Sequence, residues 1–227
     1  MPIGNNTDDV VLLSPSSYEL QKMLDICATY ANGHDIKFNT KKTVCMTILP
    51  RNFRNLYVPS VTFGGSELKF VDSYKYLGFH LTNKSTRADD MEIHQQYRNL
   101  CCRANSVSRK FAMCSYSVKK YLYTTYCSNV SCMHLWHSFH ASVLTKFKVC
   151  FNNAARMFLG YDKFCSASNM FVQECLPGFD AMHRKSVWNF VSRLSRSSNR
   201  IVLSLFFSDL AYTSSIRKAW SKCLYGS

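Results

Sequence analysis

The chain has 227 residues, of which 47% are hydrophobic and 14% aromatic, a composition that excludes a disordered chain and allows one domain or two small ones. Its formal net charge is +14, and the excess is one-sided: residues 1–95 carry 10 Lys+Arg against 10 Asp+Glu, and residues 96–227 carry 18 against 4. That asymmetry points to a polyanionic partner, nucleic acid first and an anionic membrane surface second. The longest apolar run, Ile201–Phe207, is far shorter than the roughly 20 residues a membrane-crossing helix needs. Residues 1–6 lack the basic and apolar regions of a signal peptide. The expectation is therefore an intracellular protein, nuclear or cytoplasmic and not secreted, with no membrane partner. The 11 scattered cysteines contain no CxxC pair, so they read as reduced thiols and not as a zinc ribbon.

In chain order, the acidic doublet Asp8-Asp9 runs into a strand-like stretch, Val10-Val11-Leu12-Leu13. Ser16 and Glu19 have capping-box spacing. Leu20, Met23, Leu24, Cys27 and Ala31 then form one helical face, with Gly33 as its stop. Ile36–Phe38 and Val44–Ile48 read as strand pieces around the basic turn Asn39-Thr40-Lys41-Lys42-Thr43. Val61–Phe63 and Leu68–Val71 flank Gly64-Gly65-Ser66, a hairpin signal. A further strand, Tyr74–Leu81, contains Tyr76-Leu77-Gly78-Phe79. From about residue 86 the pattern turns helical, beginning with the stripe Ile93, Tyr97, Leu100, Cys101, Ala104, Val107 and Phe111. Later helices are expected near 117–135, 144–159, 167–174, 179–195, 199–208 and 214–224. The domain boundary falls in Thr82–Thr86, giving units 1–85 and 86–227.

Several constellations carry chemistry. Two adjacent carboxylates repel each other and resist burial; a hard divalent cation relieves both problems. A catalytic Mg²⁺ site draws carboxylates from more than one segment, so Asp8 and Asp9 read as half of a site. Arg98, Arg103, Arg109, Lys110, Lys119 and Lys120 edge the first helices of the basic half and suit phosphate contacts. Cys127, Cys132, His134, His137 and His140 lie too close together on one expected helix for a zinc-finger arrangement. Trp136, Trp188 and Trp220 read as core anchors more than as base-stacking platforms.

The order of these features resembles the C-terminal half of a non-LTR (LINE-type) retrotransposon reverse transcriptase. The matching features are Asp8-Asp9 before a strand, Phe38-Asn39-Thr40-Lys41-Lys42-Thr43, Tyr76-Leu77-Gly78-Phe79, and then a basic helical region with Arg109-Lys110-Phe111, Asn152–Arg156 and Cys165–Phe171. The resemblance implies an α+β fold: a truncated palm of short antiparallel strands plus one helix over 1–85, followed by an all-helical thumb and C-terminal region over 86–227. It implies RNA-directed DNA synthesis with Mg²⁺, Asp8 as chief metal ligand and Asp9 as its helper. Lys42 would lie near the incoming triphosphate, and Tyr76, Leu77 and Gly78 would line a primer grip. The implied partners are RNA, an RNA–DNA hybrid or DNA, and a palm-and-fingers portion. The chain departs from the family at Asn6-Thr7, where an aromatic and an alanine are usual, and in lacking the fingers and first palm half. The expectation is that these residues alone do not polymerise; a non-catalytic nucleic-acid-binding remnant and a relic reading frame are the alternatives.

Overall fold

Ser16 starts the first helix as its capping box predicts. In the computed structural model, which describes residues 10–48, 59–83 and 85–225 without the side chains of 85–90, 137 and 138, Ser16 caps α1 (Ser17–Gly33) and its Oγ accepts from Glu19 N at 3.2 Å. The helix ends at Gly33, but the left-handed residue that turns the chain is Asp35, at φ 53°. The amides of His34 and Ile36 both return to the carbonyl of Ala31.

The chain divides into two units, Met1–Ser85 and Thr86–Ser227. The first is α+β. Its strands are β1 (Val44–Cys45), β2 (Thr62–Phe63), β3 (Ser66–Glu67), β4 (Lys69–Phe70), β5 (Ser73–Tyr76) and β6 (Phe79–Thr82). Among the described residues they form three separate pairs: β1 with β4, β2 with β3, and β5 with β6. The β2–β3 hairpin turns through Gly64 and Gly65, at φ 58° and 77°, the doubly positive φ that a tight two-residue hairpin demands.

Three expectations need correction here. The β1–β4 pair is parallel, so the strands are not all antiparallel; the β2–β3 hairpin lies within the crossover that a parallel pair requires. Tyr74–Leu81 is not one strand. It folds back at Leu77-Gly78, where φ is 46° and 86°, into the antiparallel pair β5–β6. Val10–Leu13 and Ile36–Phe38 join no strand ladder. Of the first run only Leu12 packs against the core, while Val10, Val11 and Leu13 stay exposed.

That core is small: Leu24, Cys45, Val61, Phe63 and Leu68, edged by Leu20, Cys27, Ala28 and Phe38. One polar side chain docks the helix onto it. Gln21 donates from Nε2 to the Thr62 carbonyl and accepts from the Thr62 amide at Oε1, both at 2.9 Å. Its amide thereby satisfies both backbone groups of an edge residue, as a neighbouring strand would.

The second unit is all helical: α2 (Ser85–Lys110), α3 (Tyr116–Leu122), α4 (Ala141–Leu159), α5 (Ala167–Gln173), α6 (Phe179–Ser195), α7 (Arg200–Phe206), α8 (Asp209–Thr213) and α9 (Ser215–Tyr225). The single helix expected over 117–135 is broken. After α3 the chain widens into a π-helical turn, Tyr123–Cys127, and Cys132 turns left-handed at φ 59° before a 3₁₀ segment, Met133–Ser138. The break places Tyr123, Cys127, Met133 and Trp136 all in the interior. Helix α8, capped by Ser208 Oγ on Ala211 N, is too short to show a period in the sequence.

Aromatic rings fill this interior. Trp136 stacks on Phe139, meets Phe147 edge-on at 5.2 Å and faces Phe179; Phe151 joins Phe171 and Phe179. Tyr123 lies between Phe151 and Phe158. Its hydroxyl is buried with no hydrogen-bond partner among the described residues, and burial pushes its pKa up. An unpaired buried hydroxyl destabilises the fold. Tyr123→Phe is therefore expected to raise unfolding free energy by about 1 kcal/mol in urea titration; a loss of similar size would mean that the hydroxyl is bonded after all.

Candidate nucleic-acid interface

The site is built from the charge imbalance upward. Residues 96–227 hold 18 cationic side chains, and among the described residues only two of them pair with a carboxylate: Lys120 with Glu174, and Lys148 with Asp180. The other two acids of the region are Asp162 and Asp209. Asp162 accepts from the Phe164 amide, and Asp209 sits in the first turn of α8. Most of the positive charge is therefore left uncompensated within the unit.

Helix α2 carries the expected phosphate contacts, and the structure sorts them. Arg98, Arg109 and Lys110 are exposed. Arg98 and Arg109 are eleven residues apart, so they share one helical line and stand about 16 Å apart along the axis. Arg103 is half-buried and already occupied. Its Nε donates to the Asn99 carbonyl and its Nη1 to the Asn129 carbonyl, each at 3.2 Å. It latches α2 to the segment after the π-helical turn, which is a structural role and not the free phosphate contact expected. Lys119 is half-buried beside a 140 Å³ pocket walled by Val107, Phe111, Met157 and Phe158.

Lys120 is likewise committed. Its Nζ lies 3.2 Å from Glu174, which is only 8% exposed and accepts a hydrogen bond from the Tyr161 hydroxyl at 2.6 Å. Hydrogen bonds from Tyr116 and Tyr161, with Lys120 beside them, hold the Glu174 carboxyl below its ordinary value, against the opposing effect of burial. The cluster ties α3 to the end of α5. A carboxylate with a depressed folded-state pKa contributes stability above its unfolded value and loses it as pH falls through the folded one. Stability is thus expected to decline on acidification below about pH 4.3, the ordinary glutamate range. Glu174→Ala is expected to cost about 2–3 kcal/mol at neutral pH and to flatten that acid limb. Equal acid sensitivity in wild type and variant, read by urea titration at several pH values, would refute this.

In the first unit, Lys42 is exposed on a turn built by Asn39, whose carbonyl and side chain accept from the Lys42 amide at 3.0 and 3.2 Å. Tyr76 closes β5, and Leu77, 73% exposed, heads the β5–β6 turn. The place where a Gly78 Cβ would sit has nothing within 4 Å. Glycine is required there by φ, not by the close approach of a phosphate or backbone. Asp8 and Asp9 lie outside the described residues.

Among the described residues, the members of the cysteine–histidine cluster take separate structural places. Cys127 is buried, with its thiol pushed up to about 11 by desolvation. His134 stacks on Phe190, and its pKa is lowered mainly by burial. His140 caps α4 by accepting from the Ser142 amide; the side chain of His137 lies outside the described residues. Among the described residues no group of three or more His, Cys, Asp or Glu is placed to hold a metal.

Two features are not foreseen from the sequence. Glu92 is fully buried on α2, accepting from Gln96 one turn on at 2.9 Å. Trp188, expected in the core, is 54% exposed, whereas Trp136 and Trp220 are buried. The helical phase of α6 held the signal for Trp188, because it lies well away from the buried Phe179. No family model, curated protein or solved structure matches this chain. Among the described residues no helix is long and apolar enough to cross a membrane.

Proposed function

We propose that this chain is the C-terminal portion of a LINE-type reverse transcriptase, the end of the palm followed by the thumb region. Its own activity is to grip the backbone of an RNA–DNA hybrid. The observation that carries this reading is the surplus of cations that pair with no carboxylate among the described residues of the helical unit, with Arg98, Arg109 and Lys110 exposed along α2. Backbone neutralisation of this kind is sequence-tolerant and falls steeply with salt. The motif order around Asn39–Thr43 and Tyr76–Phe79 supports the ancestry. So does the outward ridge of Tyr18, Ile26 and Tyr30 on α1, an apolar surface suited to the remainder of a palm. Mg²⁺ is tied to Asp8 and Asp9 by the resemblance alone, so the activity proposed for these residues is binding and no chemical step is assigned.

The test is fluorescence anisotropy of a labelled RNA–DNA hybrid with the purified chain across a salt series, beside Mg²⁺-dependent primer extension. Salt-sensitive, sequence-tolerant binding without extension is expected. Absence of binding at low salt would remove the reading. Sustained extension that disappears in Asp8→Ala would show that these residues are a working polymerase.

A further inference from the structure

Helix α6 (Phe179–Ser195) buries one side and exposes another of unusual composition. Phe179 and Val187 are inside, with Phe190 half-buried against Trp220. Side chains four apart line up on a helix. One outward ridge runs Arg184, Trp188, Ser192, Arg196, all exposed except the half-buried Ser192. The exposed ridge beside it runs Lys185, Asn189, Arg193. Asn189, Ser192, Arg193 and Arg196, the residues that follow Trp188 along the helix and its C-cap, line a shallow, open depression. The only carboxylate of the helix, Asp180, is held by Lys148. A tryptophan more than half exposed thus stands among four cations with no free acid on the helix.

We propose that this face of α6 binds single-stranded nucleic acid, with Trp188 stacking on an unpaired base and Arg193 and Arg196 holding the adjacent phosphates. The inference rests on the nucleic-acid-binding reading above and adds a second surface, distinct from α2, together with the form of nucleic acid it takes. The chemistry selects that form. An indole face offers stacking to any base, but only where the base face is not already covered by its neighbours in a duplex. One helical turn separates Trp188 from Ser192, about 6 Å along the axis, so a base on the indole leaves its neighbouring phosphate over the depression. Asn189 and Ser192 supply neutral donors there and the arginines supply charge. An anionic membrane fits less well. An interfacial helix sinks a broad apolar face into the lipid, and here the apolar side of α6 faces the interior.

The experiment uses the full chain, a labelled 20-nucleotide single strand, an RNA–DNA hybrid, and vesicles of neutral and anionic lipid. The single strand is expected to quench tryptophan emission in the wild type. Trp188→Ala should lose that quench and bind the strand about 5- to 100-fold more weakly, with its salt dependence unchanged. Arg193→Glu with Arg196→Glu should lower the single-strand salt slope by about 1.4, roughly 0.7 for each phosphate deprived of its cation. Hybrid affinity should change little in either variant, and Trp188→Phe should recover most of the lost single-strand binding. The substituted side chains are all exposed, and melting curves overlying the wild type confirm that the variants fold. If the wild type binds nucleic acid but Trp188→Ala binds the single strand equally well, this inference falls and the α2 reading stands. If no nucleic acid binds, the general reading falls and this one with it. Quenching by anionic vesicles and not by the strand would assign the face to a membrane surface and overturn the proposal.

Discussion

Trp136→Ala is expected to destabilise the helical unit by about 3–5 kcal/mol, the range for removing a large aromatic from a packed core. Trp136 is 0% exposed and ringed by Phe139, Phe147 and Phe179. It sits on a short 3₁₀ segment, Met133–Ser138, where its own φ and ψ, −82° and 16°, depart from the helix. Deleting the indole opens a cavity and also frees the segment that joins the π-helical turn to α4. Native domains are stable by only about 5–15 kcal/mol, so a loss of this size broadens or abolishes the melting transition. The indole Nε1 has no hydrogen-bond partner among the described residues. Trp136→Phe removes that unpaired donor with the ring, and is expected to cost less than its loss of volume suggests. Trp188→Ala is the internal control and should change stability by less than about 0.5 kcal/mol. Circular dichroism during urea unfolding of the three variants checks the ranking; equal stabilities for the two alanine variants would refute the burial assignment.

Combined reversal of Arg98, Arg109 and Lys110 to glutamate is expected to weaken hybrid binding on the order of 100-fold at low salt and to lower the salt slope by about 3, one for each phosphate deprived of its cation. The fold should be unaffected, because all three side chains are exposed and none pairs with a carboxylate among the described residues. Arg103→Glu separates affinity from stability. It removes the donor to the Asn129 carbonyl and brings a carboxylate toward that oxygen. A cost of about 2–3 kcal/mol in stability is expected, with hybrid affinity per folded molecule nearly unchanged. Salt-series anisotropy paired with denaturation curves reads both quantities. Wild-type affinity in the triple variant would move the contact surface off α2.

Much of the helical framework was legible in local sequence. The Ser16–Glu19 spacing marked the start of α1, and Gly160, left-handed at φ 70°, marked the end of α4. These signals work because caps and i, i+4 neighbours lie within one turn of the residue they govern. The 117–135 stretch misled for the opposite reason. Its apolar residues fit a helical period, but burying Tyr123 and Trp136 together needs the π-helical turn and a left-handed Cys132. The Tyr74–Leu81 segment misled because alternating aromatics suit either one strand or two; Leu77-Gly78 decides for two by adopting the doubly positive φ of a hairpin turn.

The sequence by itself determined the division of charge: neutral residues 1–95 and strongly basic residues 96–227, which no folding can alter. It also set the position of most helices, through period and capping. Only the tertiary structure decided which cations are available. Arg103 is spent on two carbonyls and Lys120 on Glu174, while Arg98, Arg109 and Lys110 stay exposed at the surface. It likewise separated the three tryptophans, burying Trp136 and Trp220 and leaving Trp188 exposed. The physical reason is that charge and helical phase belong to a residue and its near neighbours. Burial and hydrogen-bond partnership depend on groups brought close from far along the chain.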